Sequence, residues 1–170
     1  MVEVKVWSLA VDEKNQIPVV ILQSLDGTKR LPIWIGPPEA SAIAMEIAGK
    51  KFQRPLTHDL LVSIIAGLGA KVRRVEITDL RDTTFYAKIY LEANGELLAV
   101  DARPSDSLAV ALKCKARIFV APQLFSTELD ALLQSETAAS AEEPSEEERA
   151  GELKSFLENL NPKDFGRFSF

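Results

Sequence analysis

The chain has 170 residues, 46% of them hydrophobic, and a mean hydropathy of +0.01, enough for one domain with its own core. Its single cysteine excludes an internal disulfide and points to a reducing, cytoplasmic compartment; no apolar run approaches the roughly 20 residues of a membrane helix, and residues 1–7 do not read as a signal peptide. The net charge of −5 is uneven, with 16 basic against 14 acidic residues in 1–125 (net +2) and 4 against 11 in 126–170 (net −7), so a mildly basic body carries an acidic tail that either solubilises it or competes with nucleic acid.

Val2, Val4 and Val6 alternate with charged residues, the period of a strand. The apolar phase then moves to Trp7, Leu9 and Val11, which calls for a bulge near Trp7 or for cover on both faces. Residues 17–25 form a second apolar run, and Asp26-Gly27 predicts a type I′ hairpin leading into a strand over 31–35. Pro18 and Pro32 belong at edges or strand ends, because proline donates nothing to a ladder. Gly36-Pro37-Pro38 opens a helix with Glu39 in its first turn, and Ala40, Ile43, Ala44, Ile47 and Ala48 give it a stripe of mostly small residues ending at Gly49. A second helix starts at Thr57 with Leu60, Leu61, Ile64, Ile65 and Leu68 as its stripe. Residues 71–101 return to strands, turning at Asn94-Gly95. Pro104 and Ser105 open a helix to about Lys113, a short strand covers 117–120, and 123–134 reads as helix. The expected organisation is a domain over 1–134, an Ala/Ser/Glu-rich linker over 135–144, and an acidic C-terminal helix and tail over 145–170. Truncation after Ser135 is expected to leave a cooperatively folding domain.

Candidate chemistry gathers at two helix starts. His58, the only histidine, sits between Arg54 and Asp59; an imidazole titrates near neutrality and suits proton transfer, but one histidine excludes a His-rich zinc site. Asp101, Arg103 and Asp106 surround Pro104, and Glu39 lies at a third helix start. If these ends converge, Glu39, Asp59 and Asp106 offer oxygen ligands for Mg²⁺ or Mn²⁺. The competing account is that the acids cap helices and pair with the arginines. Basic residues cluster as Lys50, Lys51 and Arg54, as Arg73 and Arg74, and as Lys113, Lys115 and Arg117. The segments Arg54-Pro55-Leu56-Thr57-His58-Asp59 and Arg103-Pro104-Ser105-Asp106 echo each other, as copies of one strand–helix unit or as similar helix starts. No phosphate-cradling Gly-rich loop, CxxC or nucleophile elbow is present.

Leu31-Pro32-Ile33-Trp34-Ile35-Gly36, Glu39-Ala40, Arg54-Pro55-Leu56-Thr57-His58-Asp59-Leu60-Leu61, Thr84-Phe85-Tyr86-Ala87 and Asp101-Ala102-Arg103-Pro104-Ser105-Asp106-Ser107-Leu108-Ala109 resemble, in order, the bifunctional nuclease family (domain of unknown function 151) over about residues 2–125. Ser107 departs from the small residue, usually Ala, of that pattern. Residues 161–165 resemble the helical tail of many bacterial members. The resemblance implies an α+β fold of mixed, mainly antiparallel strands flanked by helices, assembly as a homo-oligomer, and DNase and RNase activity.

Two functions follow as expectations. In the first, a nuclease acts on single-stranded nucleic acid. His58, Asp59, Asp101 and Asp106 do acid–base or metal work, and Arg54 and Arg103 hold the phosphate. In the second, a non-enzymatic binding or regulatory module uses the same cluster as a structural tie. The net charge of only +2 on the body suits the second. A homodimer or small symmetric oligomer is expected from the small-residue stripe of the first helix and from Leu153, Phe156, Leu157 and Leu160.

Overall fold

A computed structural model describes residues 1–12, 16–125 and 151. In chain order these form β1 (Val2–Asp12), β2 (Ile17–Ser24), β3 (Arg30–Trp34), α1 (Pro37–Ile47), α2 (Thr57–Gly67), β4 (Lys71–Arg81), β5 (Thr84–Ala93), β6 (Glu96–Ala102), α3 (Pro104–Cys114) and β7 (Arg117–Val120). The class is α+β. Seven strands make one sheet in the order β3-β2-β1-β7-β4-β5-β6, antiparallel throughout except for the β4–β7 pair. The helix expected over 123–134 is a single 3₁₀ turn at Pro122–Leu124 as far as the described residues reach. The domain boundary, linker and last helix lie outside the described residues.

Strand pairing explains the sequence pattern. The register of β1 against β2 slips between Val6 and Ser8, so Trp7 is the bulge that lets Val4 and Leu9 both reach the core. Opposite residues in a ladder share a face. The register therefore lines up Val4, Ile118, Val75, Ile89 and Val100 as one apolar row across five strands. Pro32 stands in β3, an edge strand, and Pro18 is the second residue of β2, positions where a missing N–H costs little. Asn94 and Gly95 both have positive φ, as their I′ turn requires.

Two turns differ from expectation. At Asp26-Gly27 only Gly27 has positive φ, and the chain instead closes a longer loop from Ser24 to Lys29. Asp26 organises it by accepting bonds from the Ser24 hydroxyl at 2.5 Å and the Thr28 amide at 3.0 Å, an Asx turn. The β4–β5 hairpin turns on Asp82 and Thr83, both at positive φ. The strained backbone of a β-branched Thr83 carries no signal of the Asn-Gly kind.

The two halves of the fold repeat a three-stranded antiparallel meander followed by a Pro-started helix, β1-β2-β3-α1 and β4-β5-β6-α3. The counterpart of α3 is thus α1, not α2 as the Arg-Pro echo suggests. Helix α2 is an insertion between the halves.

The helices differ in burial. Helix α3 is enclosed from Ser107 through Ala111, as expected of a helix covered on all sides. It packs against α1, α2 and the sheet. Of the α1 stripe, Ala40, Ile43 and Ala44 are buried within the protomer, whereas Ile47 and Ala48 at its end are exposed. Helix α2 has no buried residue at all, and Leu60, Leu61, Ile64 and Leu68 are exposed. The stripe read from the sequence is real as a pattern but has no partner among the described residues.

Ser107 lies fully buried with a hydroxyl that has no hydrogen-bond partner among the described residues. A buried unpaired hydroxyl costs about 1–3 kcal/mol. Ser107→Ala is therefore expected to raise unfolding stability by about 1 kcal/mol, read as a higher urea midpoint at constant slope. An unchanged or lower midpoint would mean that the hydroxyl is satisfied.

Candidate functional site

The site is assembled at the N-termini of three helices. Proline at the first turn of α1 and α3 sets the backbone for helix entry. This places Glu39 and Asp106 at the same third position of the two helices, in line with the repeated architecture. Both carboxylates meet one guanidinium. Arg103 donates from its η nitrogen to Glu39 at 2.7 Å and from Nε to Asp106 at 2.7 Å. The other oxygen of Asp106 lies 3.0 Å from His58 Nε2. The result is a chain Glu39–Arg103–Asp106–His58 crossing from α1 to α2 by way of α3. Among the described residues the other ring nitrogen of His58 has no hydrogen-bond partner.

Asp59 belongs to a second chain. One of its oxygens accepts the Leu56 amide at 2.9 Å, so the N-cap is Leu56 and Thr57 is the first helical residue. The other accepts from Lys113 Nζ at 2.5 Å, and Lys113 also reaches Glu46 at 2.9 Å. Lys113 and Glu46 were not singled out for this role by the sequence. Their only signal is that each is a charged residue in the second half of a helix that is mostly apolar there.

The electrostatics follow from this wiring. Burial works most strongly against charge on Asp106, but Arg103 and His58 outweigh it and hold the carboxyl below its ordinary range. Lys113 lowers Asp59 most, helped by the Leu56 amide. Burial opposes charge on Lys113 itself, yet Asp59 and Glu46 raise its pKa. At the surface loop the Ser24 hydroxyl, then Thr28, brings Asp26 down to about 2. A carboxyl depressed in the native state stabilises above its unfolded value of about 3.9 and loses that contribution as pH falls through the native value. Thermal stability is therefore expected to hold from pH 7 to about 4 and to fall between about pH 4 and 2. Asp26→Asn should flatten the lower part of that fall in a pH series of melting curves.

His58 and Asp59 form one wall of a groove of about 510 Å³ between the end of α1 and the start of α2. The intervening loop supplies Lys50, Lys51, Phe52 and Arg54 to the same groove. Phe52 is 53% exposed, a free ring for a base or other flat group. Arg54 makes no ion pair among the described residues, whereas Arg103 is committed to two carboxylates.

Asp101 is the sequence candidate that does not join. In β6 it pairs with Lys88 of β5, one residue out of phase with Val100 and Ala102, whose partners Ile89 and Ala87 are core. Its side chain is thus on the opposite face of the sheet from the helices. Nor do Glu39, Asp59 and Asp106 meet as one ligand set. Asp59 is tied to Lys113, the other two to Arg103, and no group of three His, Cys, Asp or Glu among the described residues could hold a metal ion. As they stand, these donors do not fit Mg²⁺ or Mn²⁺. Of the basic clusters, Arg73, Arg74, Lys115 and Arg117 line a separate cleft of about 570 Å³ with Glu92, while Lys113 turns into the helical groove. Cys114 is half-buried and burial pushes its thiol pKa up, which leaves it a poor nucleophile. No helix of the described residues is long and apolar enough to cross a membrane.

Comparison with known proteins adds the lineage. The model of the bifunctional nuclease domain matches residues 20–130. An uncharacterised protein of Mycobacterium tuberculosis is 39% identical over 165 residues, 97% of this chain and 98% of the relative. Bifunctional nuclease 1 of Arabidopsis thaliana is 27% identical over 107 residues, covering 61% of this chain and 33% of the plant protein. Bifunctional nuclease 1 of Oryza sativa subsp. japonica is 27% identical over 105 residues, 59% of this chain and 32% of its own.

Proposed function

The chain belongs to the bifunctional nuclease domain family, and from that premise we propose that it cleaves phosphodiester bonds of single-stranded DNA and RNA in the groove between α1 and α2. The observation that carries this reading is a histidine held at 3.0 Å by an ionised aspartate, in the wall of a groove that also presents Arg54 and an exposed Phe52. Arg54 receives the phosphate as a charge-assisted, bidentate partner. Lys50 and Lys51 track neighbouring phosphates, and Phe52 stacks a base. His58 takes a proton from water as the water oxygen bonds to phosphorus. The bond to the leaving nucleoside oxygen breaks, and that oxygen is protonated from solvent. Asp106 positions the ring and stabilises the imidazolium. Arg103 and Glu39 hold Asp106 in place and so act at one remove. Glu39 and Asp106 are held by Arg103 and Asp59 by Lys113, so the reaction draws on His58 and Arg54.

A second reading rests on the same pairing. Every carboxylate of the two chains has a cationic partner, as a structural network tying strand ends to helices would. Labelled single-stranded oligonucleotides, incubated with the purified protein in EDTA and in added Mg²⁺ or Mn²⁺, separate the cases. Cleavage in EDTA is expected, with Arg54→Ala raising KM about tenfold, the loss of one charge-assisted contact. Cleavage only with divalent cation would overturn the metal-free reaction. Salt-sensitive binding without cleavage, or no binding at all, would leave the structural network as the function of the cluster.

A further inference from the structure

The cleft of about 570 Å³ at the start of β4 gathers cations from two parts of the chain. Arg73 and Arg74 come from β4, Lys115 and Arg117 from the end of α3 and the start of β7, and Glu92 of β5 is the one acid in its lining. Val75, the residue after Arg74, is core, as are its ladder partners Ile118 and Ile89. Arg74 and its own partners Arg117 and Tyr90 therefore stand on the opposite face of the sheet, away from the helices. Two arginines thus face each other on neighbouring strands about 4.8 Å apart, an arrangement of like charges that costs stability.

The chain answers only part of this charge. Arg74 donates to Glu76 at 2.6 Å, and Arg73 donates to Glu92. Arg117 is placed by a ring instead, 5.5 Å from the centre of Phe119, a contact that positions a cation without neutralising it. Lys115 is exposed and makes no ion pair among the described residues. It also stands at φ 52°, in the left-handed region where glycine or asparagine commonly ends a helix, so a cation is kept there against backbone preference. Unanswered like charges converging in a cleft make a seat for an anion. Its position selects the anion. Lys113 lines the groove between α1 and α2, and residues 114–117 line this cleft, so the two adjoin around the end of α3. A chain of regularly spaced negative charges engages both; a single small anion does not.

We propose that the cleft is a second phosphate site for single-stranded nucleic acid. A strand seated in the groove passes the end of α3 and lays further phosphates against Lys115, Arg117 and Arg74. This rests on the reading of the groove as the seat of the strand, and adds that full binding needs several nucleotides beyond the cleaved bond.

Anisotropy of a fluorescent 20-nucleotide oligothymidylate in EDTA tests this, with the full chain carrying His58→Ala throughout so that the strand stays whole. Adding Lys115→Gly and Arg117→Ala together is expected to weaken binding about tenfold at low salt. The slope of log K against log salt should shrink by about 1.4, two phosphates at about 0.7 each on a single strand. A trinucleotide, too short to leave the groove, should not distinguish the two proteins. An equal loss on the trinucleotide would make the pair a support of the groove and overturn the proposal. Lys115→Gly alone should not lower the urea midpoint, since glycine takes left-handed backbone without strain; a lower midpoint with unchanged binding would give Lys115 a structural task instead. Arg54→Ala, in the groove, is expected to weaken the 20-mer as well. Weakening by Arg54→Ala but not by the cleft pair would overturn the proposal and leave the groove standing. Weakening by the cleft pair but not by Arg54→Ala would keep the cleft as the seat of the strand and overturn the groove. Polyglutamate displacing the 20-mer as readily as unlabelled oligothymidylate of equal charge would assign the cleft to an acidic protein segment and overturn the proposal.

Discussion

Asp106→Asn is expected to lower the cleavage rate by about 10²–10⁴-fold, the usual worth of a positioned acid–base group, with the loss in kcat and little change in KM. The amide keeps the shape of the side chain but removes the charge that orients His58 and would stabilise its protonated form. Folding should survive. Asp106 is 28% exposed, and its bond to the 65%-exposed Arg103 is screened by water, so the stability cost is about 1 kcal/mol. His58→Ala should match the kinetic loss, since the two residues act as a unit, and the double variant should be no worse than either. Arg54→Ala should fail differently, in KM. A rate untouched by Asp106→Asn would place the chemistry elsewhere. Loss of the cooperative transition would assign the chain of pairs a structural task.

Leu108→Ala is expected to cost about 3 kcal/mol, within the 2–5 found for large-to-small changes at closed core sites. Leu108 is fully buried on α3, which is packed against α1, α2 and the sheet, so a cavity left there is closed on all sides. The consequence reaches the site, because Asp106 and Lys113 flank Leu108 on α3 and hold the two polar chains to α2. Urea unfolding with unchanged slope measures the loss. Cleavage at a temperature where the variant remains folded should fall much less than in Asp106→Asn, because no reacting group is removed. A cost below 1 kcal/mol would show that α3 shifts to close the cavity.

Several elements were legible in the sequence because their causes are local. Proline fixes its own φ and bars a helix interior, so the starts of α1 and α3 are written at Pro37 and Pro104. Asn94-Gly95 suits positive φ, and its turn appears where expected. The phase change at Trp7 became a bulge, because alternation has a strict period of two and any slip must be absorbed somewhere. The Ser24–Lys29 and Asp82-Thr83 turns were not legible, since side-chain bonds and partner strands decided their form.

Tertiary structure alone decided the site. Periodicity identified the apolar flank of α2 but is silent on what covers it, and within the protomer nothing described does. Asp101 and Asp106 lie five residues apart, yet strand parity sends the first to the far face while helix α3 carries the second toward His58. Arg103 reaches Glu39 across 64 residues of chain, and Lys113 reaches Asp59 across 54. Such pairs exist because two meander–helix halves fold onto one sheet and bring their helix starts together. Local propensity sets which segments are helix or strand, but the charges that meet are chosen by register and packing, which act between residues far apart in the chain.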